Sequence, residues 1–152
     1  MRPPEVGAPA ILASVVHTHN FRITTRGQGD AHDITRRVAG GVEASGLVAG
    51  IVTIFVVGST AAVTTIEFES GAIHDFNALL DELAPRDADY RHHLRWHDDN
   101  GSSHVRAALL GPSLTVPFVS GALVLGTWQQ IMLLELDTRG REREIVVQAM
   151  GE

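Results

Sequence analysis

The chain has 152 residues, enough for one hydrophobic core and a size at which a domain buries about 70% of the surface its unfolded form exposes. Hydrophobic residues at 44% and charged residues at 20% exclude a disordered chain, and no apolar run is long enough to span a bilayer. Eighteen acids against twelve bases, with the arginines scattered among the acids, argue against general nucleic-acid binding, and the lack of cysteine excludes disulfide and thiolate chemistry.

The opening "MRPPEVGAPAIL" has an arginine and two prolines where a signal peptide needs an apolar run, so a cytoplasmic protein with no membrane partner is expected. Residues 1–10 read as a flexible tail and residues 11–152 as one domain, with order beginning near Ile11. Val15 to Thr24 alternates as a strand, with Val15, His17, His19, Phe21 and Ile23 on one face. After the turn "RGQGD", Asp33 is placed to cap a helix whose Ile34, Val38 and Val42 recur every four residues and which Gly46 ends.

"GIVTIFVVGSTAAVTTIEFES" reads as two strands that bend at Gly58-Ser59, and the apolar character of both faces of Ile51–Val57 predicts a sheet interior. A second helix runs from about Ser70 to Ala84, with Ile73, Phe76, Leu80 and Leu83 on one side and Pro85 as its stop. "RDADYRHHLRWHDDNGSS" is polar and aperiodic, a long loop of the kind that carries function. A short helix over His104–Leu110 follows, then "SLTVPF", a turn at Ser120-Gly121, "ALVLGTWQQIMLLELD" and a closing strand in "REIVVQAM". The sum is an α+β fold: one compact domain, a mostly antiparallel sheet, and two main helices and one short helix packed on it.

Three stretches, "VVGSTAAVTTIEFE", "HDDNGSSHVRAALLGPSLTVPF" and "LVLGTWQQIMLLELD", in this order and spacing resemble the YjbQ-like family, also called the secondary thiamine-phosphate synthase enzyme family. The resemblance spans about Phe21 to Met150. It implies a compact α+β fold, a homotrimer and a weak thiamine-phosphate synthase activity. Many relatives have His-Thr-Thr-Ala where this chain has Gly58-Ser59-Thr60-Ala61, and Asn-Ala-His-Ala-His where it has Asn100-Gly101-Ser102-Ser103-His104. Of those histidines only His104 remains, which weakens the case for a multi-histidine metal centre within one subunit.

The candidate site is built around that histidine. A helix beginning near His104 points unpaired N–H groups back toward Gly101 and the serines, an arrangement that attracts phosphate, with Arg106 nearby in sequence. An ordinary capped helix, with Ser102 or Ser103 as cap, is the alternative. His104, in the field of the helix start, is expected as a neutral imidazole that acts as acid/base or ligates a divalent metal, magnesium or zinc, with Asp98 and Asn100 orienting it.

Ser59, Thr60 and Ser113 complete the substrate pocket, and Glu67 is either a general base or a solvated strand end. His17 and His19 form a weaker metal pair, His92, His93 and His97 read as solvated loop residues, and Trp96 and Trp128 as packing residues. Two functions follow: an enzyme acting on a phosphorylated small molecule, or a trimeric protein that binds a metabolite or metal without chemistry.

Overall fold

The computed structural model describes residues 15–152; the expected tail and the onset of order near Ile11 lie outside them. Among the described residues eight strands form two antiparallel sheets. The larger has the order β1-β8-β3-β5-β6, with β1 Val15–Thr24, β8 Glu142–Gly151, β3 Ala49–Val57, β5 Ser113–Val119 and β6 Ala122–Leu123. The smaller has the order β2-β7-β4, with β2 Ala31–Asp33, β7 Gln130–Glu135 and β4 Ala61–Ile66.

Helix α1, Thr35–Ser45, turns Val38 and Val42 into the space between the sheets, where they meet Val52, Ile54 and Val56 of β3, Ile131 and Leu133 of β7, and Ile145 and Val147 of β8. The other face of the smaller sheet carries a second core. There α2, Ser70–Leu83, and α4, Gly101–Leu110, bring Leu80 and Ala107 against Ala62, Met132, Leu134 and Leu136. Strand β7 is thus buried on both faces, which is why its run "IMLL" is continuous rather than alternating. Each fully buried aliphatic side chain contributes about 1.5–3 kcal/mol.

The expected strands and main helices are present, with local differences. Helix α2 begins as its spacing requires, because the Glu69 carboxylate accepts from the N–H groups of Gly71 at 2.7 Å and Ala72 at 3.1 Å. Asp33 stands just outside α1, where its Oδ1 accepts from the Thr35 N–H at 2.9 Å. The stretch "ALVLGTWQQIMLLELD" divides into β6 and β7 with a loop between them that exposes Trp128, and the long polar loop contains a single-turn helix, α3, His93–Trp96. Trp96 and Trp128 are both largely exposed in this chain rather than packed.

Nor is β3 interior on both faces. Val52, Ile54 and Val56 enter the core, whereas Ile51, Phe55 and Val57 stand on the outer surface of the larger sheet. In register with Ile51 lie Met150, Val16 and Pro117, an apolar row that crosses four strands.

Candidate functional site: a groove along helix α4

Helix α4 begins three residues earlier than its apolar pattern suggests, and this rearranges the expected cradle. Asn100 is the residue before the first turn and makes no side-chain cap, while Ser102 and Ser103 lie inside the helix, both buried. The Gly101 N–H donates to His93 Nε2 at 3.1 Å. A Cβ at Gly101 would stand 2.5 Å from Tyr90 Cβ, so glycine here serves the approach of Tyr90, not of a ligand. The loop with α3 therefore covers the helix start on which phosphate binding was expected.

Arg106 is also placed elsewhere. It is fully buried, and its guanidinium donates to the Ala84 carbonyl, at 2.9 Å from Nε and 2.6 Å from Nη2, and to Asp81 at 2.7 Å. Two residues along a helix is a turn of about 200°, so Arg106 faces away from His104 and ties α4 to the end of α2. Asn100 and His104, four residues apart, share a face.

That shared face borders two hollows with no lining residue in common, an apolar half at His104 and a polar half at Asn100. The apolar half is a cavity of about 370 Å³ where His104, Ala107 and Ala108 of α4 oppose Gly58, Ser59 and Ala61. His104 is half-buried, and its ring stands against that of His92, with centroids 4.5 Å apart. The polar half is a smaller hollow of about 220 Å³, where Asp98 and Asn100 meet Asp137, Thr138, Arg139 and Arg141. Asn100 is 7% exposed, and its buried Oδ1 has no hydrogen-bond partner. A buried acceptor in that state costs about 1–3 kcal/mol unless a donor is supplied.

A buried ionic network joins the halves. Glu135, fully buried, accepts from both arms of the Arg143 guanidinium, with Nε at 2.7 Å, from Thr25 Oγ1 at 2.7 Å, and from the backbone N–H groups of Leu136 and Asp137. Arg143 Nη2 also donates to Thr60 Oγ1 at 2.7 Å, and that hydroxyl donates onward to Asp137 at 3.0 Å. Burial alone would raise the Asp137 carboxyl; hydrogen bonds from Arg141 and Thr60 outweigh this and hold it below the usual carboxylate range. Gly58, at φ +150°, lets Arg143 pass beneath it, since a Cβ there would lie 2.7 Å from Nη1.

Of the residues expected at the site, Ser59 and His104 share the apolar half and Asp98 and Asn100 the polar half, and Thr60 belongs to the network between them. Glu67 is not brought there. It is exposed beyond the end of β4, roughly 20 Å along the strand direction from Ala61. Ser113 opens β5 on the outer face of the larger sheet, in register with Phe55. Glu135, Asp137, Arg139, Arg141 and Arg143 were missed; their one signal was Glu135 and Asp137 standing at alternate positions of an otherwise apolar run.

The donor set does not fit the metal expected at His104. Among the described residues no group of three or more His, Asp or Glu side chains is placed to hold an ion. His104 has one imidazole neighbour, His92, and the Asp98 carboxylate lies 3.7 Å from His92 Nε2. Nor is any helix of the described residues long and apolar enough to cross a membrane.

The profile of the family "UPF0047 protein YjbQ-like" matches residues 19–152. A UPF0047 protein of Methanothermobacter thermautotrophicus is 40% identical over 137 residues, which is 90% of this chain and 94% of that one. One from Synechocystis is 33% identical over 138 residues, covering 90% and 92%. Among solved structures, a YbjQ-like protein of unknown function from Sulfolobus solfataricus superposes with a TM-score of 0.86 at 37% identity, over 92% of this chain and all of that one. A hypothetical protein from Aeropyrum pernix gives 0.81 at 32% identity, over 89% and 98%.

Proposed function

The chain belongs to the YjbQ-like UPF0047 family, and from that premise we propose that it binds a phosphorylated small molecule in the groove along α4, phosphate in the polar half and ring in the apolar half. The observation that carries this reading is the juxtaposition itself. A hollow lined by the guanidiniums of Arg139 and Arg141, the latter paired with Asp137, and by Asn100 stands one turn of α4 from an alanine-lined cavity whose polar groups are Ser59 and His104. Arginine suits phosphate because its planar fork donates two parallel hydrogen bonds. Arg139 is exposed and has no carboxylate partner among the described residues, so its charge is available.

The reaction that the family resemblance implies is thiamine-phosphate formation. The thiazole nitrogen forms a bond to the methylene carbon of the pyrimidine diphosphate, and the carbon–oxygen bond breaks with its electrons leaving on pyrophosphate. Arg139 and Arg141 would stabilise that departing charge, and His104 with Ser59 would orient the heterocycle. No step is assigned to a metal, since among the described residues the donors for one are not assembled.

A purified-protein assay of pyrophosphate release tests this. His104→Ala is expected to lower turnover by about 100-fold, the cost of a heterocycle held slightly out of place. Arg139→Ala is expected to raise KM by about tenfold, the loss of one charge-assisted hydrogen bond. Unchanged kinetics in both variants would remove the groove from the reaction.

A second reading, binding without turnover, is favoured by Glu67. With that carboxylate outside the groove, His104 is the one titratable side chain lining the apolar half. Ligand-induced thermal stabilisation without product distinguishes this reading.

We further propose that the protein is a cytoplasmic homotrimer whose contacts use the outer face of the larger sheet. The exposed row Val16, Met150, Ile51 and Pro117, with Phe55 beside it, supports that face. Ser113 lies on the same face and would serve a ligand only across a subunit boundary.

A further inference from the structure

Past Thr138 the polar half of the groove opens into a second hollow, of about 690 Å³, which the reading above leaves unused. Its walls are the turn Arg26–Asp30 and the side chain of Arg86, and Thr138 is common to both hollows. The turn is held from within by Asp30. That carboxylate accepts from the Arg26 backbone N–H at 2.9 Å and from Arg26 Nε at 3.0 Å, and its Oδ2 lies 2.9 Å from His32 Nε2. The carboxylate is therefore saturated, and it and the Arg26 guanidinium compensate each other, while the Arg26 side chain remains 87% exposed.

Two observations call for an anion in this place. Gln28 Nε2, in the same turn, is buried and donates to nothing. A buried N–H without an acceptor has lost its bond to water with no replacement, and an anionic oxygen is its strongest possible partner. Arg86 carries surplus charge, because its partner Asp81, at 3.0 Å, also accepts from buried Arg106 at 2.7 Å, so two guanidiniums share one carboxylate.

We propose that the hollow formed by Arg26, Gln28 and Arg86 is a phosphate-binding subsite, placed to take a second phosphoryl group of a ligand whose first lies beside Arg139 and Arg141. The ligand with two phosphates rests on the reading of the first hollow; the subsite itself does not. Its chemistry is that of an exposed guanidinium paired with Asp30, a second guanidinium with shared compensation, and an unsatisfied amide donor in the same turn.

The test is a titration of the ¹⁵N-labelled full chain with inorganic phosphate, followed amide by amide. The expected result is saturable movement of Gly27, Gln28 and Gly29. Gln28→Leu is expected to weaken it by about tenfold or more, the loss of one hydrogen bond to a charged group, while Asn100 and Arg141 titrate as in the parent. Without phosphate, Gln28→Leu is expected to melt no lower than the parent, since it removes a donor that bonds to nothing. Arg86→Gln is expected to weaken the same three amide responses, and gives a second reading of the subsite should Gln28→Leu not fold.

Amides of the turn that stay still or move without saturating would overturn the subsite, as would an unchanged midpoint in both variants. Movement at Asn100 and Arg141 alone would overturn the subsite and leave the first hollow standing. Movement at the turn alone would do the reverse.

Discussion

Replacing Arg143 with methionine tests the network on which the groove is hung. In the parent, Arg143 compensates fully buried Glu135 through both of its guanidinium arms and holds Thr60 by its carbonyl and hydroxyl. Removing one partner of a buried pair costs about 3–5 kcal/mol, because the remaining charge stays out of water. Glu135 would keep Thr25 Oγ1 and two backbone N–H groups, which partly solvate its carboxylate, so the low end, about 3 kcal/mol, is expected. In a domain of this size that is a fall in Tm of roughly 6–12 °C.

Urea unfolding at pH 7, followed by far-ultraviolet circular dichroism, measures the loss. The doubly substituted Glu135→Met, Arg143→Met protein should recover most of it, since no charge is then left buried alone. A loss below about 1 kcal/mol for Arg143→Met, or a double variant that loses as much as the singles combined, would refute the reasoning.

Three other outcomes follow from the same coordinates. Asp30 is held down to about 2: burial opposes its charge, but hydrogen bonds from Arg26 and His32 prevail. Because the folded value lies below the unfolded one, its contribution of about 2 kcal/mol is complete above about pH 4 and is lost as pH falls toward 2; Asp30→Asn should flatten that part of the stability profile. Gly101→Ala should cost about 1–3 kcal/mol and displace α3, read by denaturation and by Trp96 fluorescence, because the new methyl overlaps Tyr90; no loss would contradict that packing. If the proposed trimer forms through the outer face of the larger sheet, Phe55→Glu should lower the mass in light scattering from three chains to one; a monomeric parent would contradict that proposal.

Much of this architecture was legible in the sequence because it rests on local periodicity. Ile73, Phe76 and Leu80 with Pro85 fix α2, and Val52, Ile54 and Val56 the inner face of β3. Missed features depend on what other elements bring near. Whether Ile51 and Phe55 face a layer or open surface is not encoded in β3, so their apolar character suggested an interior that this chain does not supply.

The same holds within the site. Arg106 is near His104 in sequence yet points the opposite way on the helix, and Glu67 shares a strand face with Ala61 but stands at its other end. Arg143, directly after a surface-like "GRE", becomes buried only when β7 lays Glu135 opposite Ala61 and beside it. That His104 and Asn100 lie on one face of α4 follows from their four-residue spacing, which is a local signal.

The most direct measurement of the central claim is calorimetric titration of the parent and of Arg139→Ala with a heterocyclic phosphomonoester and with its dephosphorylated alcohol. The account expects the phosphomonoester to bind at least about tenfold more tightly than the alcohol, and to lose that advantage in Arg139→Ala. Equal affinity for the two compounds, or an advantage that survives the loss of Arg139, would contradict it.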